Sequence, residues 1–329
     1  IYHGIGPIFS ALSLAGVGLL WAAAFHIVPM IPNTIGWRML IVVGPKPSFF
    51  QMLYTVWVRE SINGLLPVGR IGGELASYRV LTRMGSHATP VIVSLISDIT
   101  LSLISQFLFT VLGLVLLLLR VEDADVAWRV FFGLLIFLPM LGGMIAMQRI
   151  GIGNVAIKMT AKLFGDQAKE FISDADLLDR MVRLVYLRIS RVALSTLLQL
   201  LGWMLGAGEL YWALYFLGHP ATIADALMIE AVIQAISATL FVIPAAIGVQ
   251  ETAFVILCGL IGLPEDVGLA LALARRFRDL VFFLPGLIVW QLHEVKHLVF
   301  RRRKGKRGKA STQPSRISAQ VKSESSSDS

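Results

Sequence analysis

Charge is scarce in this sequence. Asp, Glu, Lys and Arg make up 15% of its 329 residues, hydrophobic residues make up 56%, and mean hydropathy is +0.74. Soluble domains carry about 25% charged residues, so the shortage excludes an ordinary soluble enzyme. Cysteine is scarcer still. A single thiol, Cys258, excludes an intrachain disulfide and a Cys-based zinc cluster. Its apolar surroundings, Phe254 to Leu260, predict a buried and inert side chain. No G-x-x-x-x-G-K-[ST] loop is present to cradle nucleotide phosphates, and no G-x-S-x-G elbow to present a serine. P-loop-powered transport and serine-hydrolase chemistry within this chain are excluded with them. The start lacks Met and has neither a charged n-region nor a cleavage site, so it is read as N-terminally truncated rather than as a signal peptide.

What the sequence does have is long apolar runs. A spanning helix needs about 20 such residues, and spans are expected over 5–31, 87–119, 126–147, 190–217 and 267–291. Two further apolar stretches, 49–84 and 226–263, are interrupted near their middles. Segment 154–185 carries apolar residues at helical spacing among charges, which predicts an amphipathic helix on the membrane surface. The fold class expected is all-α, a polytopic membrane bundle over 1–292, followed by a disordered tail over 293–329.

The formal net charge of +8 belongs mostly to that tail. Residues 1–292 hold 19 Lys and Arg against 18 Asp and Glu, and residues 293–329 hold 10 against 3. The 148–191 connection holds eight Lys and Arg, whereas 218–225 and 262–267 hold none. Positive charge marks the cytoplasmic side of short loops, so the tail is expected inside. Beside a final span its cluster points to anionic lipid head groups rather than nucleic acid.

The two interruptions resemble each other. One reads Pro67-Val-Gly-Arg-Ile-Gly72-Gly73-Glu74, the other Pro244-Ala-Ala-Ile-Gly248-Val-Gln250-Glu251. Each runs seven positions from Pro to Glu. Adding 177 to a number in the first unit carries Gly85 to Gly262 and Asp98 to Arg275. An odd number of spans separates the units, so they are expected in opposite orientations. A helix broken inside a bilayer leaves backbone groups that cannot face lipid, and inverted repeats of broken helices are a transporter's way of building a site near the midplane. A pair of proline-kinked hairpins that only pack is the plainer alternative.

Charged and amide residues near these breaks are the candidate site: Arg59, Glu60, Asn63, Glu74, Asp98, Glu230, Gln250, Glu251, Arg275, Arg278 and Asp279, with Pro67, Gly72, Gly73, Pro244 and Gly248 shaping the backbone. Charges at bilayer depth are expensive and normally pair inside a bundle. Arg275 and Asp279, four apart on one helix, can pair locally. A carboxylate such as Glu74 or Glu251 can receive a hydroxyl or cationic head group or carry a proton, and the residues leave that choice open.

These stretches resemble the lysylphosphatidylglycerol synthase transmembrane region family. Leu65-Leu66-Pro67 with Gly72-Gly73-Glu74, and Pro244 to Glu251, carry the likeness. Trp57 to Pro67, Asp98 to Gly113 and Gly248 to Gln291 are most similar to its hopanoid-biosynthesis-associated branch (HpnL-like). The resemblance implies two re-entrant helix pairs and the movement of a lipid, a hopanoid or a phospholipid, between leaflets of a bacterial inner membrane. No cofactor and no metal are expected. With no aminoacyl-transfer domain read after Gln291, the resemblance implies no enzyme activity. Family members usually have one more helix before the first span, and usually Gly where Ala245 follows Pro244.

Two rivals stand beside this. His293-Glu294-Val-Lys-His297 matches the zinc-protease pattern H-E-x-x-H, but an adjoining polybasic run would repel a dication and no third ligand is visible. A membrane scaffold for lipid-synthesis enzymes is the other. Assembly as a homo-oligomer is left open by the sequence.

Overall fold

The computed structural model describes residues 16–66, 72–120, 175–239 and 248–311, and every regular element among them is an α-helix. The chain divides into a compact body, Ile1–Leu284, and a C-terminal unit, Pro285–Ser329. The expected span over 126–147, the larger part of the amphipathic segment, the motif residues Pro67 and Pro244, and residues 312–329 lie outside the described residues.

Helices α1 (Gly18–Ala24) and α2 (Ile27–Leu40) form one run of 23 residues, apolar and long enough to cross a membrane. The sequence reading ends this span at Ile31, whereas the helix continues to Leu40. Pro29 falls in its first turn, where a missing N–H is harmless, and Pro32 is accommodated inside it. Two other described helices meet the same standard, α5 (Ala88–Arg120) and α7 (Ile189–Phe216). Large apolar side chains such as Leu119, Leu197 and Leu201 stand exposed on them, as a lipid-facing surface requires.

Four of the other helices of the body repeat a plan. In the first unit, α3 (Phe49–Leu65) has 17 residues and α4 (Gly72–Arg83) has 12; in the second, α8 (Ile223–Thr239) has 17 and α9 (Val249–Leu260) has 12. Both long arms start with a reciprocal cap. Ser48 and Gln51 exchange hydrogen bonds of 2.7 and 3.2 Å, and Thr222 and Asp225 exchange bonds of 3.1 and 3.2 Å. Both short arms end on glycines with positive φ, Gly85 at 96° and Gly262 at 80°. There the next amide reaches back five residues, Ser86 N to Leu81 O at 3.0 Å and Leu263 N to Cys258 O at 2.9 Å.

The offset of 177 therefore holds from the short arm onward and carries the start of α5 to the start of α10 (Glu265–Ser311). Across the long arms the offset is 174, because the second break is three residues longer. The expectation of one constant offset is corrected accordingly.

The two units are inverted. Along α2 and α7, Asn33 lies against Gly202 and Gly36 against Ser195, so one numbering rises as the other falls and the helices are antiparallel. Each leads into its own unit, and the units inherit the reversal. They also interlock. Span α5 packs antiparallel on the other unit's long arm α8, through Gln106 with Gln234, Gly113 with Ala231, and Arg120 with Asp225. In the reciprocal place, Trp57 of α3 donates to the Phe282 carbonyl of α10 at 2.9 Å. Small residues at such crossings let helices approach where lipid offers no hydrophobic drive.

Helix α6 (Ala175–Leu187) is the described end of the amphipathic segment. Its stripe, Leu178, Met181, Val182 and Val185, is buried against Val93 and Leu101 of α5 and Leu40 of α2. The stripe expected to lie on the membrane is thus covered by protein. Helical backbone also continues through residues 293–311, where the sequence reading expects disorder. Arg275, Arg276, Arg278 and Asp279 fall in the first half of α10, and that helix is not among the three runs that meet the apolar standard.

Candidate functional site

In the first unit, α3 and α4 are joined by side chains one turn apart. Arg59 and Asn63 share a face of α3. The Asn63 carbonyl accepts from the Gly73 amide at 2.9 Å, satisfying one of the donors left over in the first turn of α4. Close approach is the condition: a Cβ on Gly73 would sit 2.5 Å from the Arg59 carbonyl oxygen. The Asn63 amide nitrogen lies 3.4 Å from Glu74 Oε1. Arg59 donates to Asp98 Oδ2 on α5 at 2.6 Å, lies 3.8 Å from Glu74, and places its guanidinium 4.6 Å from the Trp37 ring centre. The second Asp98 oxygen accepts from Gln199 of α7 at 2.9 Å.

The second unit has a similar arrangement with the signs exchanged, its acid lying three residues earlier on the long arm than the place matching Arg59. Here the long arm supplies the acid and the span supplies the base. Glu230 of α8 receives both nitrogens of Arg275, at 2.6 and 3.0 Å, and Gln234 donates to it at 2.7 Å. Such a bidentate pair is the strongest form a carboxylate–guanidinium contact takes. Glu251 accepts from the Gly248 amide at 2.7 Å and so caps its own helix, while Arg276 lies 3.3 Å away. Gln250 donates to Ser237 at 2.7 Å. Gly248 has φ of 86°, a conformation that favours glycine at this break.

A third cluster joins the units. His26, at the step between α1 and α2, places Nε2 3.1 Å from Glu60 of α3 and Nδ1 against Glu209 of α7. Arg278 of α10 lies 3.0 Å from Glu209, 3.0 Å from Asp279 and 2.7 Å from His26 Nδ1. The edges of Phe282 and Phe283 close round the imidazole at centroid distances of 4.8 and 5.2 Å.

A small pocket, open at its mouth, adjoins this cluster. Leu19, Ala22, Ala213 and Leu271 give it apolar walls, and Glu209, Glu230, Arg275 and Arg278 give it a charged floor. Apolar walls with a few convergent polar groups suit an amphiphile.

The candidate residues within the described set thus gather into two arms and a centre. Arg59, Asn63, Gly73, Glu74 and Asp98 form the first arm, with Gly72 opening α4. Glu230, Gly248, Gln250, Glu251 and Arg275 form the second, and Glu60, Arg278 and Asp279 reach the centre. The local Arg275–Asp279 pair read from their spacing is replaced: Arg275 holds Glu230, and Asp279 lies beside Arg278. Glu74 and Glu251 are engaged at the breaks, beside Asn63 and Gly248.

His26, Gln199 and Gln234 are additions to the residues read from the sequence, and Glu209, read there as a charge within an apolar span, joins the site set. Glu209 had a signal, since it interrupts an apolar span, and His26 is the ionisable residue in a run without Lys, Arg, Asp or Glu. Among the described residues no group of three or more His, Cys, Asp and Glu is placed to hold a metal ion. His293 is exposed, and the side chain of His297 lies outside the described residues.

The family model described as "Lysylphosphatidylglycerol synthase TM region" matches residues 2–286. No curated protein and no solved structure matches the chain.

Proposed function

The chain belongs to the lysylphosphatidylglycerol synthase transmembrane region family, and from that premise we propose that it moves a lipid between the leaflets of a bacterial cytoplasmic membrane. The observation that carries the proposal is the ionic centre where the inverted units meet, Glu60–His26–Glu209–Arg278, flanked by Arg59–Asp98 and Glu230–Arg275. An ionisable residue at bilayer depth is a functional-site hypothesis by default, because scales put it at about 2.5–3.5 kcal/mol or more. Here such residues come from both units and border a small pocket whose lining is part apolar and part charged. A lipid has one part for each surface: its polar head can exchange partners with the charged floor while its tails stay with the small apolar residues of the wall.

Hopanoids, or lipids exported alongside them, are the cargo favoured by the sequence likeness, with phospholipids second. The excess of Lys and Arg in the tail supports a cytoplasmic C-terminus. The role proposed is transport, without lysyl transfer. The test is leaflet exchange in vesicles reconstituted with the purified chain, using a panel of labelled hopanoid and phospholipids. Exchange faster than in empty vesicles supports the proposal, and the preferred lipid identifies the cargo. Equal rates across the panel with and without protein would overturn it. Co-purification of a lipid-synthesis enzyme, with no exchange, would favour the scaffold reading.

A further inference from the structure

Net lipid movement to one leaflet needs coupling to a gradient, and the ring of His26 supplies the chemistry for such coupling. Its Nδ1 has two neighbours, Glu209 Oε1 on α7 and the Arg278 NH1 on α10, the latter at 2.7 Å. These neighbours make opposite demands on the same atom. A carboxylate only accepts, so Glu209 requires a hydrogen on Nδ1. A guanidinium only donates, so Arg278 requires the lone pair there. One nitrogen can meet one demand at a time. Nε2, 3.1 Å from Glu60 on α3, can donate to that carboxylate in either state.

The ring is therefore bistable in its partners. As an imidazolium it ties Glu60 of the first unit to Glu209 on α7. As a neutral imidazole it still donates to Glu60 but accepts from Arg278 on α10. Neither state strands a carboxylate, because Arg278 also reaches Glu209 at 3.0 Å. The other charged groups nearby are Asp279, 3.0 Å from Arg278 Nε, and Arg275, one turn away on α10 and held by Glu230. The remaining faces of the ring meet Phe282 and Phe283, which keep the exchange local.

We propose that His26 is a proton-binding site and that proton binding drives lipid movement by switching its Nδ1 partner between Arg278 and Glu209. The proposal rests on the lipid-translocation reading above. A proton arriving at the ring changes which helix of the second unit is bound to the first. Arrival of a polar head group at Glu209 or Arg278 must in turn change the ring's affinity for the proton, since linkage between two ligands is reciprocal. The step is a protonation only: one N–H bond forms at Nδ1, and nothing is oxidised.

The test uses the full chain in vesicles of phosphatidylethanolamine and phosphatidylglycerol, with a fluorescent phospholipid in the bilayer and a pH dye in the lumen. Leaflet exchange and lumenal pH are read together, with a pH difference imposed or collapsed by a protonophore. Exchange should change several-fold with the gradient and be accompanied by protein-dependent proton movement. His26→Gln, which keeps a donor and an acceptor but cannot titrate, should lose both gradient effects. Should that variant fail to fold, Glu209→Gln leaves the histidine in place and should likewise lose the gradient dependence. Exchange in the wild type that is the same with and without a gradient, and at every pH from roughly 5 to roughly 10.5, a range well to either side of ordinary histidine titration, overturns the coupling and leaves lipid movement standing. Proton movement that needs His26, with no exchange of any lipid tried, instead overturns the lipid reading and retains the proton site. Absence of both overturns both.

Discussion

Asp98→Ala is expected to destabilise the body by about 2–3 kcal/mol, and the figure follows from what the carboxylate leaves behind. Asp98 has 4% of its side chain exposed and neutralises Arg59 at 2.6 Å while accepting from Gln199 at 2.9 Å. Deleting one partner of a buried pair costs about 3–5 kcal/mol, because the other charge is left uncompensated. Two features lower that figure. Glu74 remains 3.8 Å from the guanidinium and the Trp37 face remains beneath it. Polar contacts in bilayers also average less, about 0.6 kcal/mol and at most about 1.7 by double-mutant cycles, since the membrane-inserted unfolded chain finds partners too. Arg59→Met combined with Asp98→Leu strands no charge and should return to within about 1 kcal/mol of the wild type. Unfolding in mixed micelles, read for Arg59→Met, Asp98→Leu and the double variant alongside Asp98→Ala, completes the cycle. Costs that simply add in the double variant, or an Asp98→Ala cost below about 0.5 kcal/mol, would refute the pairing argument.

Other changes reach other parts of the account. Gly73→Ala should cost about 1–3 kcal/mol in the same assay, as overpacking does, because its methyl meets the Arg59 carbonyl; no measurable cost would mean that α3 and α4 do not approach as closely as described. Lys46, in the loop before α3, is pushed below the ordinary lysine range by partial burial and by Arg191, Arg38 and Arg188. Its charged form is thus disfavoured in the folded chain below that range, so Lys46→Gln should leave stability unchanged or raise it at low salt, with the difference fading near about 0.5 M salt as charges are screened; a marked loss would contradict the crowding of cations there. With Cys258→Ala as background, cysteines at His87→Cys and Pro264→Cys, exposed positions related by the 177 offset, should label from opposite sides of a sealed vesicle. Labelling from one side would dismiss the inversion.

Much of this organisation was legible in the sequence, and what was hidden has identifiable physical reasons. The short arms were readable because their punctuation is local: glycine at a left-handed helix end, and an acid three or seven residues after a break. The offset linking Asp98 to Arg275 follows from those marks. The 174 offset of the long arms was not readable, since the three additional residues lie within an apolar stretch that offers no marker. Partner choice was harder. Arg275 has Asp279 four residues away, and only the packing of α8 against the start of α10 shows that Glu230, 45 residues distant, takes the guanidinium. His26 carried no motif. Its importance comes from three helices converging on one ring, which no spacing along the chain records. The stripe of α6 was correctly periodic, but a period does not say whether protein or lipid covers it.

The claim at the heart of this account is that lipid crosses the bilayer by way of the charged centre between the inverted units. The most direct measurement is the leaflet-exchange rate of the preferred lipid for wild type, Glu209→Gln, and a change on the lipid-facing side of the same helix, Leu197→Ala. Leu197 is 61% exposed and touches none of the ion pairs described above. The rate for Glu209→Gln should be at least tenfold lower, about 1.4 kcal/mol in the barrier, with Leu197→Ala near the wild type. Equal rates for all three folded proteins, or a loss at Leu197 with Glu209→Gln unimpaired, would contradict it.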